Sequence, residues 1–210
     1  GLTDVRVPSS VTSIGYHAFD GCTGLASVSI PQSVGSIGYR AFKGCSNMKS
    51  LVLEDGGGVL NLSYYNSYYD SPFDSCPLDS LYLGRNLNYS TSSTSARPFR
   101  DKTKLRSVVI GDSVTSVDSY AFYGCSSLGN VSKGNKVTSI GEYAFYNCKA
   151  LTSLSFIAGI TSIPSYAFAG CIGLTDVRVP SSVTSIGYHA FDGCTGLTSI
   201  SIPQSVGSIG

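Results

Sequence analysis

The amino-acid sequence predicts a mainly β repeat solenoid, in which short parallel strands stack unit upon unit within one domain of residues 1–210. Three observations favour this fold class: a 23-residue repeat, one column of aligned phenylalanines, and short alternating apolar segments that end at Pro or Gly. About nine units can be aligned, and their first residues are Leu2, Leu25, Met48, Leu78, Leu105, Leu128, Leu151, Leu174 and Leu197. Two of the units, 48–77 and 78–104, are longer than the rest.

Each regular unit contains two short segments that are typical of β-strands. In the unit that starts at Leu25, apolar residues alternate through Val28 and Ile30, and a second apolar segment ends at Ile37. A period of two with β-branched residues indicates strands rather than helices. Pro31 follows the first segment, where the chain has to turn out of the strand.

The end of the regular unit reads Ala-Phe-x-Gly-Cys and predicts a tight turn or a single helical turn. Eight of the nine phenylalanines occupy one column of this turn, namely Phe19, Phe42, Phe73, Phe99, Phe122, Phe145, Phe168 and Phe191. One unit alone has too little apolar surface to fold, so the apolar columns are expected to be buried as ladders between stacked units. The tyrosines beside the turns of regular units are predicted to be packing residues, namely Tyr16, Tyr39, Tyr120, Tyr143, Tyr166 and Tyr188.

Seven cysteines form another column, namely Cys22, Cys45, Cys76, Cys125, Cys148, Cys171 and Cys194, and Lys102 takes this position in the fourth unit. Zinc thiolates usually come from C-x-x-C pairs, whereas no two of these cysteines are closer than 23 residues. Stacked parallel strands lie about 4.8 Å apart, wider than the Cβ separation of about 3.8 Å in a disulfide. We therefore expect a ladder of buried unpaired thiols, with no metal site and no cofactor.

The segment Val183–Pro203 reads VTSIGYHAFDGCTGLTSISIP and resembles the BspA-like leucine-rich repeat, also called the Treponema-type repeat. The resemblance covers essentially the whole chain. It implies a leucine-rich-repeat solenoid, wound as a right-handed superhelix, on surface or secreted proteins of mouth and gut anaerobes and of some protist parasites. Where a function is assigned in this family, it is adhesion to host matrix proteins or to other cells, and the family brings no catalytic residues.

Composition and motifs argue against several classes of function. The net charge is +1 with only 13% charged residues, which gives no electrostatic indication of nucleic-acid or anionic-membrane binding. No stretch approaches the roughly 18–20 apolar residues of a membrane span. Catalytic and phosphate-binding motifs are not found, and His17 and His189 lie 172 residues apart at the same position of a duplicated unit. The expectation is a non-enzyme.

The middle of the chain is the best candidate for partner binding. In the first strand of each unit, the outward residue is Ser or Arg except at Val52, Tyr82 and Val109, which predicts a small apolar stripe across three neighbouring strands. The insertions at this level add tyrosines, which supply large contact areas at low entropic cost. The additional candidate contacts are Tyr64, Tyr65, Tyr68, Tyr69 and Tyr89. The alternative is that these tyrosines cover the core of the longer units.

Charge is segregated at the same level of the chain. Residues 50–84 contain five acids and no base, whereas residues 85–106 contain six bases and one acid. Pairing between adjacent units is the favoured interpretation. The alternative is a basic patch for an acidic partner such as a sulfated glycan, with Arg97 and Arg100 among its contacts.

Two functional hypotheses follow. The first is a surface-exposed or secreted adhesion segment, monomeric, that binds a host extracellular protein or glycan through the two longer units. The second is a structural spacer that projects another domain and has no ligand of its own. Residues 1–38 and 173–210 match at 36 of 38 positions, and the last copy stops in mid-unit, so the chain is expected to be a fragment of a longer array.

Overall fold

A computed structural model of the chain describes residues 1–64, 71–89 and 97–210, and it confirms a mainly β parallel solenoid. The described residues contain no α-helix. Their strands are numbered β1 to β16 in chain order. Every paired strand is parallel to its neighbour in the preceding or following unit, as stacking of units requires.

The first strands of the units form one side of the solenoid. They are β2 Ser27–Ile30, β4 Ser50–Leu53, β6 Ser80–Leu83, β8 Ser107–Ile110, β10 Asn130–Lys133, β13 Asp176–Arg178 and β15 Ser199–Ser201. Strands β2, β4, β6, β8 and β10 make one five-stranded sheet, and β13 pairs with β15. A 3-10 turn at Ser155–Ile157 occupies the position between the two sheets. In β4, β6 and β8 the inward residues are buried and the outward ones are half-buried, which confirms the predicted alternation.

The second strands form another side. They are β1 Ser13–Ile14, β3 Ser36–Ile37, β5 Leu60–Leu62, β7 Leu87–Asn88, β9 Ser116–Val117, β11 Ser139–Ile140, β12 Ser162–Ile163, β14 Ser185–Ile186 and β16 Ser208–Ile209. Backbone pairing stops between β7 and β9, where the Asn86 side chain bridges the two units. Its Nδ2 donates to Thr115 Oγ1 at 2.8 Å, and its Oδ1 accepts from the Thr115 and Ser116 amides at 2.9 and 3.2 Å. A side-chain amide thus supplies the hydrogen bonds that the ladder lacks there.

The predicted tight turns form the third edge and also bond one unit to the next. The amides of Tyr120, Phe122 and Gly124 donate to backbone carbonyls of the following unit at 2.8–3.0 Å. The amides between them, those of Ala121 and Tyr123, donate within their own turn to Asp118 O and Tyr120 O at 3.2 Å. Positive φ occurs at two positions of the turn, for example 61° at Tyr120 and 71° at Gly124. The left-handed conformation is costly for residues with a Cβ, so the inter-unit bonds have to offset it at tyrosine.

The phenylalanine column runs without interruption through the centre. Consecutive rings from Phe19 to Phe191 are nearly parallel, with centroids 5.0–6.1 Å apart. The widest spacing lies between Phe73 and Phe99, the rings of the two longer units. The insertions therefore leave the core column in register, and the extra residues are accommodated outside it.

The cysteine column is buried as predicted, and it also forms hydrogen bonds. All seven cysteines are free, and only Cys22 is partly accessible. From Cys45 onward each Sγ lies 3.0–3.3 Å from the carbonyl oxygen of the phenylalanine in the preceding unit, to which the thiol donates. Lys102 replaces the thiol in the same role, since its Nζ donates to Phe73 O at 2.6 Å. The column thus caps buried carbonyls as well as filling space.

One arginine lies in the core, which the sequence did not indicate. Arg85 is 1% exposed. It donates to the carbonyls of Pro31, Gln32 and Val34 at 2.8–3.0 Å, two units earlier in the stack. In regular units a serine hydroxyl of the next unit donates to the carbonyl equivalent to that of Val34, as Ser205 does to Val183 at 2.7 Å.

The unit 48–77 lies between Arg85 and these carbonyls, and it has glycines at the position of that serine. The missing side chains leave space for the Arg85 side chain to reach the carbonyls. A Cβ at Gly56 would lie 3.1 Å from the Cβ of Gln32 and 3.8 Å from the Cδ of Arg85. Burial lowers the pKa of Arg85, and the nearby Glu54 carboxylate opposes this. Arg85 is therefore an internal residue, which removes it from the run of surface bases inferred from the sequence.

The thiols are expected to react slowly in the folded chain. Burial raises the pKa of Cys125 to about 12 and also raises the pKa of Cys148 and Cys194, so little thiolate forms at neutral pH. Titration with an aromatic disulfide reagent should find Cys22 reacting first in native buffer and all seven thiols in denaturant. Fewer than seven thiols in denaturant, or fast reaction of all seven in native buffer, would contradict the buried ladder.

Replacing Arg85 should destabilise the chain more than replacing a surface arginine. Arg85→Ala removes a buried side chain and leaves three carbonyls without this donor, which should lower the free energy of unfolding by about 3 kcal/mol. Arg106→Ala is the matched control, because Arg106 is 75% exposed and pairs with Asp79 at 3.1 Å. Arg106→Ala should lower the free energy of unfolding by less than about 1 kcal/mol. Urea unfolding measures both, and equal losses would argue against the internal role of Arg85.

Candidate binding surface

The predicted apolar stripe exists on the outer face of the first-strand sheet. Val52 pairs in register with Tyr82, and Tyr82 pairs with Val109. All three side chains are half-buried. Ser29 and Ser132 occupy the next positions on either side, so the stripe is three strands wide with polar borders. Directly opposed side chains on neighbouring strands contact one another, which makes these three residues one continuous surface.

Carboxylates line the end of the stripe where the strands terminate. The Tyr82 hydroxyl donates to Asp55 Oδ2 at 2.5 Å, and Ser29 Oγ donates to Glu54 Oε1 at 2.8 Å. The hydrogen bond to Asp55 is the main reason that the pKa of Tyr82 rises to about 12. The hydroxyl therefore stays protonated at neutral pH and orients both groups. The surface combines an apolar centre with acceptor oxygens at one border.

Two of the candidate tyrosines lie inside the longer units. Tyr89 follows β7 in the register that Leu62 holds after Asn61, and it is 6% exposed. Tyr64 is partly buried against the core. Tyr89 leaves no surface for a partner, which corrects its assignment as a contact, and Tyr64 offers little. For these two residues the structure favours the alternative, that tyrosines cover the core of the longer units. Tyr65, Tyr68 and Tyr69 lie outside the described residues.

A small polar cluster accompanies these two rings. The guanidinium carbon of Arg97 lies 4.8 Å from the Tyr89 ring centroid, a cation–π arrangement. The Nε of Arg97 is buried without a hydrogen-bond partner in the part of the chain that is described. Burial raises the pKa of Asp118 beyond what the nearby Tyr89 and Arg97 offset.

Arg100 lies on the turn edge. Its Nε is 3.3 Å from Asp101 Oδ2, and its guanidinium carbon is 4.2 Å from the Tyr123 ring centroid. The predicted pairing between the acidic and basic runs is present for Arg106 with Asp79, whereas Asp74 pairs with Lys43 of the preceding unit at 3.3 Å. The candidate contacts are thus divided: the stripe lies on the strand face, and the two arginines belong to the turn edge.

The histidines form no common site. His17 Nδ1 is 2.7 Å from Asp20 Oδ2 and His189 Nδ1 is 3.7 Å from Asp192 Oδ2, each an exposed pair within its own turn. Among residues 1–64, 71–89 and 97–210, no three His, Cys, Asp or Glu side chains are grouped so that they could hold a metal ion. No helix in these ranges has the length and apolar character needed to cross a membrane.

Comparison with protein families matches residues 1–94 and 92–210 to the BspA type leucine rich repeat region, with six copies. The chain belongs to this family. The family assignment confirms the resemblance drawn from the repeat pattern, and it covers the regular and the longer units alike. A comparison with curated proteins finds no significant match.

Solved structures show the same fold as this BspA-type chain. A leucine-rich repeat protein of Treponema pallidum aligns with a TM-score of 0.58 at 20% identity, over 94% of this chain and 77% of that one. A leucine-rich repeat protein from Bacteroides ovatus aligns with a TM-score of 0.54 at 22% identity, over 95% of this chain and 72% of that one. A leucine rich cell surface protein from Faecalibacterium prausnitzii aligns with a TM-score of 0.53 at 24% identity, also over 95% of this chain and 72% of that one.

The BspA-type chain also has a row of stacked aromatic rings on its turn edge. Tyr120, Tyr143 and Tyr166 stack at 4.6–4.8 Å, and His189 continues the row at 4.8 Å. The prediction that these tyrosines are packing residues is confirmed for this row. It is wrong for Tyr188 and for its repeat equivalent Tyr16, which are 69% and 64% exposed. Rings at one position of four consecutive units were visible in the sequence, but the left-handed backbone that turns them outward was not.

Asp118→Asn should change how the stability of the BspA-type chain depends on pH. Because burial raises the pKa of Asp118 above 3.8, the folded chain binds this proton more tightly than the unfolded chain. Its contribution to the free energy of unfolding therefore falls as the pH rises from about 4 through the folded-state pKa. Asp118→Asn should flatten this decline and stabilise the chain at neutral pH. Urea unfolding across the acidic range tests this, and an unchanged slope would contradict it.

Proposed function

We propose that this chain is a non-catalytic, surface-exposed or secreted repeat domain that binds a host extracellular protein or glycan and so mediates adhesion. The observation that carries the proposal is the Val52–Tyr82–Val109 stripe. It stands where other first strands present Ser or Arg, and it lies at the level of the two longer units. The F. prausnitzii structure is named as that of a cell surface protein, which supports the location.

The chemistry of the stripe suits a ligand with both an apolar face and hydrogen-bond donors. Tyr82 offers an aromatic ring whose hydroxyl is held by Asp55, and the Glu54 and Asp55 carboxylates accept hydrogen bonds at the border. Sugars and the side chains of extracellular proteins both combine such features. An extended outer sheet is also the surface through which repeat solenoids commonly bind.

A structural spacer is the second candidate function. It is favoured by the uniform stacking, since the phenylalanine column and the turn hydrogen bonds recur from unit to unit. Residues 1–38 and 173–210 are nearly identical, so units can be added by copying without a change in packing. A spacer would need no ligand, and its outer face could vary freely.

A binding screen with a stripe variant distinguishes the two. The variant Val52→Ser, Tyr82→Ser, Val109→Ser gives these strands the outward serine found in β2 and β10, so it should fold. Arrays of matrix proteins and glycans should show saturable binding that the variant loses by at least tenfold, since an aromatic anchor commonly contributes about 2 kcal/mol.

The matched control is Tyr188→Ser, which removes an exposed tyrosine on the turn edge. It should bind like the unmodified chain. Binding that survives in the stripe variant would refute the stripe as the recognition surface. If the unmodified chain binds nothing in the arrays, the structural spacer is favoured.

A further inference from the structure

The turn edge contains a cavity between the two longer units, separate from the stripe. Its volume is about 280 Å³, and residues of the segments 71–78 and 97–104 line it. The charged side chains among them are Arg97, Arg100, Lys102, Lys104, Asp74 and Asp101. Neither Val52, Tyr82 nor Val109 contributes to it. We propose that this cavity binds a tetrahedral oxyanion, a sulfate or phosphate ester, carried on a ligand of about monosaccharide size.

The acids of the cavity are already paired, whereas most of the bases are not. Asp74 Oδ2 lies 3.3 Å from Lys43 Nζ, and Asp101 Oδ2 lies 3.3 Å from Arg100 Nε. Arg97, Lys102 and Lys104 have no carboxylate at ion-pair distance among the described residues. The lining therefore has four bases against two acids, which leaves a net positive charge in a concave site, where an anion is held more strongly than on an open surface.

Lys102 brings an ammonium group to a position where the other repeats have a thiol. Its Nζ donates one hydrogen to Phe73 O at 2.6 Å, which leaves two for a ligand. Burial lowers the pKa of Lys102, although the Asp74 carboxylate opposes this. Since no described carboxylate lies at ion-pair distance from Lys102, a bound oxyanion would add counter-charge beside its ammonium group.

Arg97 is held in a fixed orientation at the same cavity. Its guanidinium lies over the Tyr89 ring, and its Nε is buried. A planar guanidinium that is already ordered loses little entropy when it binds an oxyanion. Lys104 is exposed and adds a mobile charge at the rim. The three groups together supply donors from a fixed, a buried and an exposed position.

The size of the cavity limits the ligand. A volume of about 280 Å³ lies just below the roughly 300–1,000 Å³ of small-molecule sites, so one sugar ring with its ester fills it. The lining residues Pro77, Leu78 and Pro98 offer apolar contacts to such a ring. This site is additional to the proposed adhesion surface. Binding at the cavity does not depend on binding at the stripe.

Isothermal titration of the chain at about 0.15 M salt tests the site, with screening of surface charge already in effect. The probes are an O-sulfated disaccharide, a hexose phosphate and the unsulfated disaccharide. At least one charged probe should bind saturably and the neutral one should not. Which of the two charged probes binds more tightly identifies the ester.

The variant Lys102→Cys, Lys104→Gln restores the cysteine of the repeat and removes two charges. It should weaken binding at least tenfold. The control Arg106→Gln, Arg178→Gln removes two exposed charges outside the cavity and should leave binding within about twofold. Lys104→Gln alone, at an exposed position, should weaken binding severalfold and gives a second test if the double variant unfolds.

Absence of saturable binding by both charged probes, or equal losses in the cavity and control variants, would overturn the proposal. The stripe variant should titrate like the unmodified chain. Conversely, the cavity variant should keep its binding in the matrix-protein and glycan arrays unless the array ligand carries the ester. Failure of the cavity and failure of the adhesion surface are therefore separate results.

Discussion

The strands of this solenoid find their backbone hydrogen-bond partners in neighbouring units. Strands of two to four residues cannot satisfy their own amides and carbonyls. The tight turns satisfy some of their amides internally and direct the others to the next unit. This requirement fixes the spacing between equivalent residues at 23 in the regular units, because a shift of one residue would move the ladder out of register on all three sides at once. Because equivalent residues must recur at this spacing, Phe, Cys and Ser each form an aligned column in the sequence.

The longer units show how the requirement is met when the repeat is interrupted. Asn86 replaces a stretch of backbone pairing, Lys102 replaces a thiol, and Arg85 replaces a serine hydroxyl. Each substitute has a longer reach or more donors than the group it replaces. The irregular residues are therefore structural first, and Lys102 keeps two ammonium hydrogens that its bond to Phe73 O does not use.

The repeat period, the strands, the buried columns and the stripe could be predicted from the sequence because each depends on residues at fixed spacing. The roles of Arg85 and Tyr89 could not. Arg85 contacts carbonyls two units away, and that distance depends on glycines in the unit between. Tyr89 enters the core because the connection from Leu83 to the second strand is one residue shorter than in the regular units. When the units are aligned by their repeat period alone, Arg85 and Tyr89 both look like surface residues of the insertions.

The reach of Arg85 has a mechanical consequence. In a stack where each unit bonds only to its neighbours, a pulling force opens the interfaces one after another, starting at an end. Arg85 ties the unit at residues 78–104 to the unit at residues 25–47 across the one between. Units 25–47, 48–77 and 78–104 thus resist extension as one block. A chain that holds a cell under flow would keep the surface borne by these units intact while the regular units on either side yield.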